Sequence, residues 1–395
     1  MQHTKMENIE FVYIMPNHPW GVASVVSNLI RYSAYPEIRK KVILIGIGSE
    51  NKPCDKDFGD AEVIVESSGN MWTNSKLSFV RRVARHISEN SIIICNDGSP
   101  EYSMVELLQL RNPVISILHG DYRHYFNGGY RYGYLIDRMI CVSSFLKKKA
   151  NKLFPSCTNP IFIPFATPHV KINIDQKSYE KPIVITYAGS IISAKGCHHF
   201  PELIKQLDQS TLDYRFDIWG DGDLLDWLKK EVHPNSRVKF HGRKANEIVI
   251  NALKESNISI LLSKKEGLPV SLVEAMKCGS IPVVFDLDTG IPDIIDHEIN
   301  GFRVPQEDVT GICNRILQIG NDINLLKKMS NAAVIKANSL FEPKRQAQSY
   351  EDLFLETSFR KEKFHAHKTS VINAVLNRIP MKFAWKIRKY CSIEE

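Results

Sequence analysis

Several features that assign a chain to a common class are missing from these 395 residues. The sequence contains no run of about 18 apolar residues that could span a bilayer. Its first residues lack the basic start and the apolar stretch of a signal peptide. The eight cysteines are scattered, with no C-x-x-C pair and no Cys/His spacing of the zinc type. We therefore expect a protein of the reducing cytosol that is neither secreted nor transmembrane and holds no structural metal.

The net charge is +7, but the part of the chain before residue 360 is not strongly basic. Residues 360–395 hold nine Lys and Arg against three Glu, so six of the seven positive charges lie in that tail. The remaining body is nearly neutral, which argues against an enzyme with a basic nucleic-acid groove. The chain does contain 43% hydrophobic residues, which is enough to fill two cores.

Apolar segments of strand length alternate with amphipathic segments of helix length, and this alternation occurs twice. It predicts two parallel sheets with helices on both faces. A polar stretch, 171–181, separates the halves, so we expect a boundary near residues 166–180 and a cleft in which ligands bind beyond the strand ends. The predicted strands are 9–14, 41–46, 91–95, 114–118, 183–187, 214–219, 259–262 and 281–285.

The segment that follows the strand 259–262 predicts an anion-binding site. Residues 264–269 form a tight loop, a helix starts near Val270, and Gly279 suits its C-terminal cap. The free N–H groups at such a helix start can bind a diphosphate. Glu266 in the loop and Glu274 about one turn into the helix could accept hydrogen bonds from sugar hydroxyls. Taken singly, either Glu would more often be a solvated surface charge.

The arrangement as a whole is more specific. Residues 266–274, Glu-Gly-Leu-Pro-Val-Ser-Leu-Val-Glu, form an E-x7-E element that resembles the signature of glycosyltransferase family 4, the retaining group 1 enzymes of the GT-B fold. Five more segments agree with the family in order: Tyr187 to Gly196, Asp217 to Gly222, Val238 to Gly242, Ile281 to Val284 and Asn300 to Phe302.

This resemblance covers residues 10–358 and implies an α/β architecture of two Rossmann-like, doubly wound domains that face a cleft. Residues 1–170 would form the acceptor-side domain and residues 171–340 the nucleotide-sugar donor domain. A crossover helix at 341–358 would return to the first domain, and 359–395 would form an additional basic tail.

The resemblance also implies roles for individual residues. Glu274 would bind the ribose hydroxyls, and Glu266, as a catalytic residue, would meet the donor sugar near its reacting carbon. Lys195 would offset the charge of the diphosphate. The nucleotide-sugar is a co-substrate, so no cofactor and no metal are expected. Further donor contacts would come from Gly189, Gly21, Gly267, Leu268 and Val270.

In the first half, His119 follows a predicted strand at the position of the family's cleft histidine, which implies a catalytic contact with the sugar. Residues 121–134 are rich in aromatics, with Gly128-Gly129 as a flexible break. They could form an acceptor loop that stacks on sugars, or pack in the ordinary way. His198 and His199 lack partners at metal-binding spacing, so core or cap roles are expected.

Two positions depart from the family pattern. Ser190 stands where an Arg is usual, which removes a bidentate phosphate contact, and Trp20 precedes Gly21 where two glycines are usual. The expected activity is retaining, metal-independent transfer of a sugar from a UDP- or GDP-linked donor to a glycan or lipid-linked acceptor, in polysaccharide or lipopolysaccharide biosynthesis. The departures leave open a catalytically degenerate nucleotide-sugar-binding or membrane-adaptor protein. An enzyme of the same fold with different chemistry, such as a nucleotide-sugar epimerase or a glycogen-type phosphorylase, is another alternative. A phosphorylase would need a pyridoxal-phosphate lysine, which neither length nor motif supports.

The basic tail contains a segment, 381–391, with the pattern of a short amphipathic helix. Lys382, Lys386 and Lys389 share one face of that helix. Such a helix can lie on an anionic membrane surface, or it can pack on the body with solvated lysines. We expect the first arrangement, in a cytoplasmic protein that is peripheral on the inner membrane. No nucleic-acid partner is expected.

Overall fold

A computed structural model describes residues 8–18, 21–46, 54–96, 99–154, 160–232, 234–357 and 375–391. The described residues divide into two compact units. The first unit contains residues up to 142, residues 146–166 and those from 343 onward. The second contains residues 143–145 and 167–342, so the chain passes between the units near residues 166 and 342.

The first unit is built on a seven-stranded parallel sheet. Its strands are β1 Glu10–Pro16, β2 Arg39–Gly46, β3 Glu62–Ser67, β4 Ser91–Cys95, β5 Val114–Leu118, β6 Arg138–Cys141 and β7 Ile161–Phe162. They are ordered β3-β2-β1-β4-β5-β6-β7. The helices of this part are α1 Gly21–Arg31, α2 Lys76–Ala84, α3 Ser99–Leu108, α4 Arg123–Tyr132 and α5 Ser144–Leu153.

The second unit repeats this topology with six parallel strands. They are β8 Ile183–Ala188, β9 Tyr214–Trp219, β10 Val238–Gly242, β11 Ile258–Leu261, β12 Ile281–Phe285 and β13 Phe302–Val304, ordered β10-β9-β8-β11-β12-β13. Its helices are α6 Phe200–Asp208, α7 Leu225–Glu231, α8 Asn246–Glu255, α9 Val270–Lys277, α10 Ile291–Ile294, α11 Val309–Gly320 and α12 Ile323–Leu340.

Both sheets have the doubly wound order in which the first strand lies between the second and the fourth. The predicted architecture of two parallel-sheet α/β domains is confirmed, and each of the eight predicted strands is present. The prediction missed strands that are short or exposed. Strand β3 pairs only with β2 at the sheet edge and leaves Val63 and Val65 exposed, so it lacks the continuous apolar run of a central strand.

Two further helices, α13 Pro343–Leu355 and α14 Met381–Cys391, follow the second unit in sequence but belong to the first. Helix α13 is fastened there by Glu351, which is fully buried and accepts hydrogen bonds from Ser33 Oγ at 2.6 Å and the Ala34 N–H at 2.7 Å. Burial raises the pKa of Glu351, and these hydrogen bonds counteract that effect. None of the described helices is both long and apolar enough to span a bilayer.

Candidate active site

The predicted site residues of the second unit lie where the strand order of its sheet reverses. Strands β8 and β11 are neighbours in the sheet although the chain runs from β8 outward to β9 and β10 in one direction, and from β11 to β12 and β13 in the other. In open parallel sheets, ligands bind beyond the carboxyl ends of the strands at this switch point. Lys195 is in the loop after β8 and Glu266 is in the loop after β11. The topology therefore brings two distant segments to one location.

Lys195 and Glu266 form an ion pair. Lys195 Nζ donates to Glu266 Oε1 at 2.7 Å, and Ser263 Oγ donates to the same oxygen at 2.5 Å. Glu266 is only 5% exposed, whereas the Lys195 side chain is 26% exposed. The carboxylate is therefore held from inside the protein, while the ammonium group remains accessible from solvent. This arrangement excludes the reading of Glu266 as a solvated loop charge.

Close backbone approach explains why glycines are needed around this site. Gly196 ends the short 3-10 turn Ser193–Lys195 with φ 72°, and a Cβ there would lie 1.7 Å from the carbonyl oxygen of Leu262. A Cβ on Gly220 would lie 1.8 Å from the carbonyl oxygen of Gly189. The loops after β8, β9 and β11 are thus packed against one another through bare backbone, which fixes the position of Lys195.

Helix α9 carries the second carboxylate. It begins at Val270 and follows Pro269, which stands at the N-cap rather than inside the first turn. Gly279 has φ 72° just beyond the end of the helix, as expected of a C-terminal cap. Glu274 is 7% exposed and accepts a hydrogen bond from Asn246 Nδ2 at 3.1 Å. It is therefore not a solvated helix residue.

Most of the residues between the two carboxylates are also buried. Leu268 is 6% exposed, and the carbonyl oxygen of Gly267 accepts a hydrogen bond from the Gly290 N–H at 2.8 Å. A Cβ on Gly290 would lie 2.4 Å from that oxygen, so the loop after β11 and the start of α10 approach at backbone distance. Val270 is half-buried at the start of α9.

A buried lysine lies one turn beyond Glu274. Lys277 is 0% exposed, and its ammonium donates to the carbonyl oxygens of Thr167 at 2.7 Å, Pro168 at 3.3 Å and Phe341 at 2.7 Å. Burial lowers its pKa to about 8, against an opposing effect of Glu342 and Glu274. Helix α9 therefore holds both segments at which the chain enters and leaves the second unit.

In the first unit, His119 follows β5 and is held by Asn96, which follows β4. Asn96 Nδ2 donates to the carbonyl oxygens of Ile14 at 3.1 Å and Ile94 at 3.2 Å, which orients the amide. Its Oδ1 lies 2.9 Å from His119 Nε2. An amide oxygen only accepts hydrogen bonds, so Nε2 is the protonated nitrogen in this contact. Gly21 is the first residue of α1, and Trp20 lies outside the described residues.

The predicted flexible break at Gly128-Gly129 is wrong, whereas ordinary packing, one of the two alternatives for the aromatic residues of 121–134, is observed for some of them. Most of this segment is helix α4, in which Tyr125 and Phe126 are buried. Gly129 is not a break: a Cβ there would lie 2.5 Å from the ring of Phe154, so it permits close packing. The aromatic residues of α4 are in part core residues, although Tyr130 remains 81% exposed.

The two neighbouring histidines have a partner that their spacing in sequence did not reveal. His199 Nε2 lies 3.4 Å from Glu307 Oε2, and His198, His199 and Glu307 bring potential ligand atoms within 4.8 Å of one another. Burial lowers the pKa of both histidines, and the charge of Lys264 adds to this effect. The nearby cation also disfavours a metal ion, and the pair packs at the start of α6.

Sequence reasoning missed the residues that hold the predicted ones. Ser263, Asn246 and Asn96 each donate to or accept from a predicted site residue, and Lys277 anchors α9. Only Ser263 offered a signal, since it lies just after β11 and three residues before Glu266. The others are common residue types that reach the site from separate elements.

Comparison with known proteins gives a family match for the second of the two parallel-sheet domains. Residues 171–335 match the family model of Glycosyl transferases group 1. Over 160 residues the chain is 29% identical to N-acetyl-alpha-D-glucosaminyl L-malate synthase of Bacillus anthracis, covering 40% of each protein. Over 186 residues it is 25% identical to UDP-Gal:alpha-D-GlcNAc-diphosphoundecaprenol alpha-1,3-galactosyltransferase of Escherichia coli, covering 45% of this chain and 46% of that one.

A solved structure extends the likeness over both units. Alr3699/HepE of Anabaena, in complex with UDP and glucose, superposes with a TM-score of 0.71 at 16% identity, covering 89% of this chain and 100% of that one. This likeness establishes the GT-B fold. Residues 171–335 therefore resemble a group 1 glycosyltransferase domain, in a chain that has the GT-B fold. The matched segments span less than half the length of the two sequence relatives.

Proposed function

We propose that the protein is a retaining glycosyltransferase that moves a sugar from a UDP- or GDP-linked donor to a glycan or lipid-linked glycan acceptor. The observation that carries this proposal is the Lys195–Glu266 pair at the switch point of the second sheet. The buried carboxylate can accept hydrogen bonds from sugar hydroxyls, and the solvent-accessible ammonium group that it holds can bind a phosphate. The group 1 domain match over the same residues supports it.

In the proposed reaction, the bond between the sugar and the nucleotide diphosphate breaks and the diphosphate leaves. The Lys195 ammonium and the N–H groups at the start of α9 stabilise the charge that develops on it. Glu266 accepts hydrogen bonds from the sugar near its oxocarbenium-like carbon, and Glu274 accepts them from the ribose. Gly189 and Gly267 leave room for the donor, and His119 contacts the sugar. The acceptor hydroxyl then attacks from the face that the diphosphate left and passes its proton to the departing phosphate oxygen, without a metal ion.

The proposed setting is cell-surface polysaccharide or lipopolysaccharide biosynthesis on the cytoplasmic face of the inner membrane. One support is the named activity of the Escherichia coli relative, whose acceptor is a diphosphoundecaprenol-linked sugar. A second support is helix α14 with its exposed basic residues Lys386 and Lys389. The sugar and the acceptor linkage are left to experiment.

Thermal stabilisation by nucleotides tests the donor site. UDP, GDP, ADP and their sugar conjugates are added to the wild type, Glu274→Ala and Lys195→Ala. A matched control is Glu247→Ala, which removes an exposed carboxylate of α8 beside Asn246. A ligand at 100 times its Kd stabilises the folded state by about 2.7 kcal/mol. We expect one base to stabilise the wild type and the control, with much smaller shifts in the other two variants.

Two outcomes would change the proposal. If no nucleotide raises the melting temperature of the wild type, the donor-site assignment is wrong. If one nucleotide binds but its sugar conjugate is neither transferred nor hydrolysed with EDTA or with added Mg²⁺, the degenerate binding protein is favoured. Ser190, in place of the arginine usual in the family, is the feature that motivates this second candidate, because it removes a phosphate contact.

A further inference from the structure

The tail helix α14 joins a second segment of the first unit to form one exposed surface. The Met381 N–H donates to the carbonyl oxygen of Asn74 at 2.9 Å, and the Lys382 N–H donates to that of Met71 at 2.8 Å. An isolated antiparallel bridge also pairs Ser75 with Pro380. The start of α14 is thus fixed to the loop that precedes α2.

One side of α14 packs and the opposite side does not. Ala384 is 2% exposed, and Leu376, just before the helix, is 3% exposed. Arg388 Nη2 donates to Asn377 Oδ1 at 3.2 Å on that same packed side. Lys386 and Lys389 point away from it and are exposed. The packing explains why the helix is held, and it leaves the basic side available.

Large aromatic side chains flank these lysines. Trp72 is 47% exposed, Phe383 47% and Trp385 51%. The rings of Trp72 and Phe383 meet edge to face at 5.4 Å, although they come from separate segments. Together these aromatic and lysine side chains form what we call the aromatic–basic surface, which consists of Trp72, Lys382, Phe383, Trp385, Lys386 and Lys389.

The lysines of the aromatic–basic surface lie over its rings. Lys386 Nζ is 5.1 Å from the centroid of Trp72, and Lys389 Nζ is 5.2 Å from that of Trp385. Lys382 Nζ lies 5.4 Å from Trp385 and 5.9 Å from Trp72. Ammonium groups and indole rings are therefore interleaved at one level of the surface, rather than separated onto two faces.

The charge around this surface has one sign. Residues 67–88 and 375–391 together contain nine Lys and Arg and no Asp or Glu. The nearest acidic residue before the loop, Glu66, is paired with Arg82 at 3.5 Å and lies 2.9 Å from His86 Nε2. An anionic partner would meet no uncompensated carboxylate in these two segments.

We propose that the aromatic–basic surface docks the protein on an anionic phospholipid bilayer. Indole rings favour the level of the headgroups, and lysines beside them can contact lipid phosphates. Lysine stems also cover apolar surface while their ammonium groups stay in water. The inference adds Trp72 and its loop to the tail as a composite membrane site. It specifies the membrane partner of the proposed function, but vesicle binding does not require sugar transfer to be correct.

Vesicle co-sedimentation of the full chain tests the proposal. The probes are phosphatidylcholine vesicles with and without about one third phosphatidylglycerol. We expect binding only to the anionic vesicles, weakened by salt because exposed charges are screened. A Lys or Arg near such a surface contributes about 1 kcal/mol, so K382Q/K386Q/K389Q together should weaken the partition coefficient roughly 100-fold. The control K229Q/K230Q/K328Q removes three exposed lysines of the second unit and should bind like the wild type.

Tryptophan fluorescence locates the contact. We expect a blue shift on addition of anionic vesicles that is reduced in W72F and in W385F and kept in W227F, whose parent residue is 37% exposed in the second unit. Thermal melts show whether each variant folds. Equal binding to neutral and anionic vesicles, or no loss in the triple lysine variant, would overturn the proposal. So would binding to a single-stranded oligonucleotide without binding to vesicles.

Discussion

The loop after β11 in the second sheet and the loops after β4 and β5 in the first sheet follow the carboxyl ends of central strands but are held by different interactions. In the second unit, Glu266 is a buried carboxylate held by Lys195 and Ser263. In the first, His119 is held by the neutral amide of Asn96. Removing Lys195 would leave the buried Glu266 carboxylate without its compensating charge, whereas a neutral contact contributes about 0.5–1.5 kcal/mol. The loop after β11 should therefore be the more sensitive to substitution.

The same contrast extends into helix α9. Glu274 and Lys277 are both buried, and Lys277 is surrounded by backbone carbonyl oxygens rather than by a carboxylate. The two sheets share a topology, but the residues after β11 make charged contacts whereas His119 after β5 makes a neutral contact. Three substitutions distinguish the charged contacts of the second unit from the neutral contact of the first, and their expected effects decrease from Glu266 to Lys277 to His119.

Glu266→Gln keeps the shape of the side chain and removes its charge. If Glu266 stabilises developing charge on the sugar, the transfer rate should fall about 100-fold to 1000-fold, as for the loss of a preorganised electrostatic contact. Steady-state kinetics with the preferred donor measures this loss. Glu255→Gln, at a 75% exposed side chain of the same unit, should leave the rate unchanged. A rate within threefold of the wild type in Glu266→Gln would remove its catalytic role.

Lys277→Met should lower the free energy of unfolding by about 3 kcal/mol, since buried carbonyl oxygens lose their donor. The folded-state pKa of Lys277 is about 8, below its usual 10.5, so the unfolded chain binds the proton more tightly. Between these values the wild type gains stability as pH rises, and the variant lacks this gain. In urea unfolding from pH 7 to pH 10.5, the difference in free energy of unfolding between the wild type and the variant should increase with pH. A constant difference equal to that of exposed Lys328→Met would contradict the assignment.

His119→Ala should have the smallest effect of the three. A hydrogen bond to a group that gains charge contributes about 1.5–3 kcal/mol, so kcat should fall roughly 10-fold to 100-fold. Thermal stabilisation by the nucleotide should be unchanged, because the nucleotide is assigned to the second unit. His86→Ala is a control in the first unit, where His86 Nε2 lies 2.9 Å from Glu66. A loss of nucleotide binding in His119→Ala, with kcat unchanged, would reverse the proposed division of roles.

The sequence by itself determined the alternation of strands and helices, because buried parallel strands need continuous apolar runs such as those of β4 and β5. It also predicted Lys195, Glu266 and Glu274 as site residues. Glu266 and Glu274 belong to one strand-loop-helix pattern with a recognisable signature, whereas Lys195 belongs to the separate loop after β8. The half-exposed strand β3 was not predicted because it lacks the continuous apolar run of a central strand, and only its pairing with β2 shows that it belongs to the sheet.

Only the tertiary structure decided what surrounds those residues. The sheet order brings the loops after β8 and β11 together, and this converts two separate charges into an ion pair. The roles of Asn96, Asn246 and Lys277 likewise depend on contacts across 23, 28 and 110 positions of the chain. Trp72 joins the tail surface for the same reason. Hydrogen bonds and ion pairs act over a few ångströms, and separation along the sequence does not predict that distance.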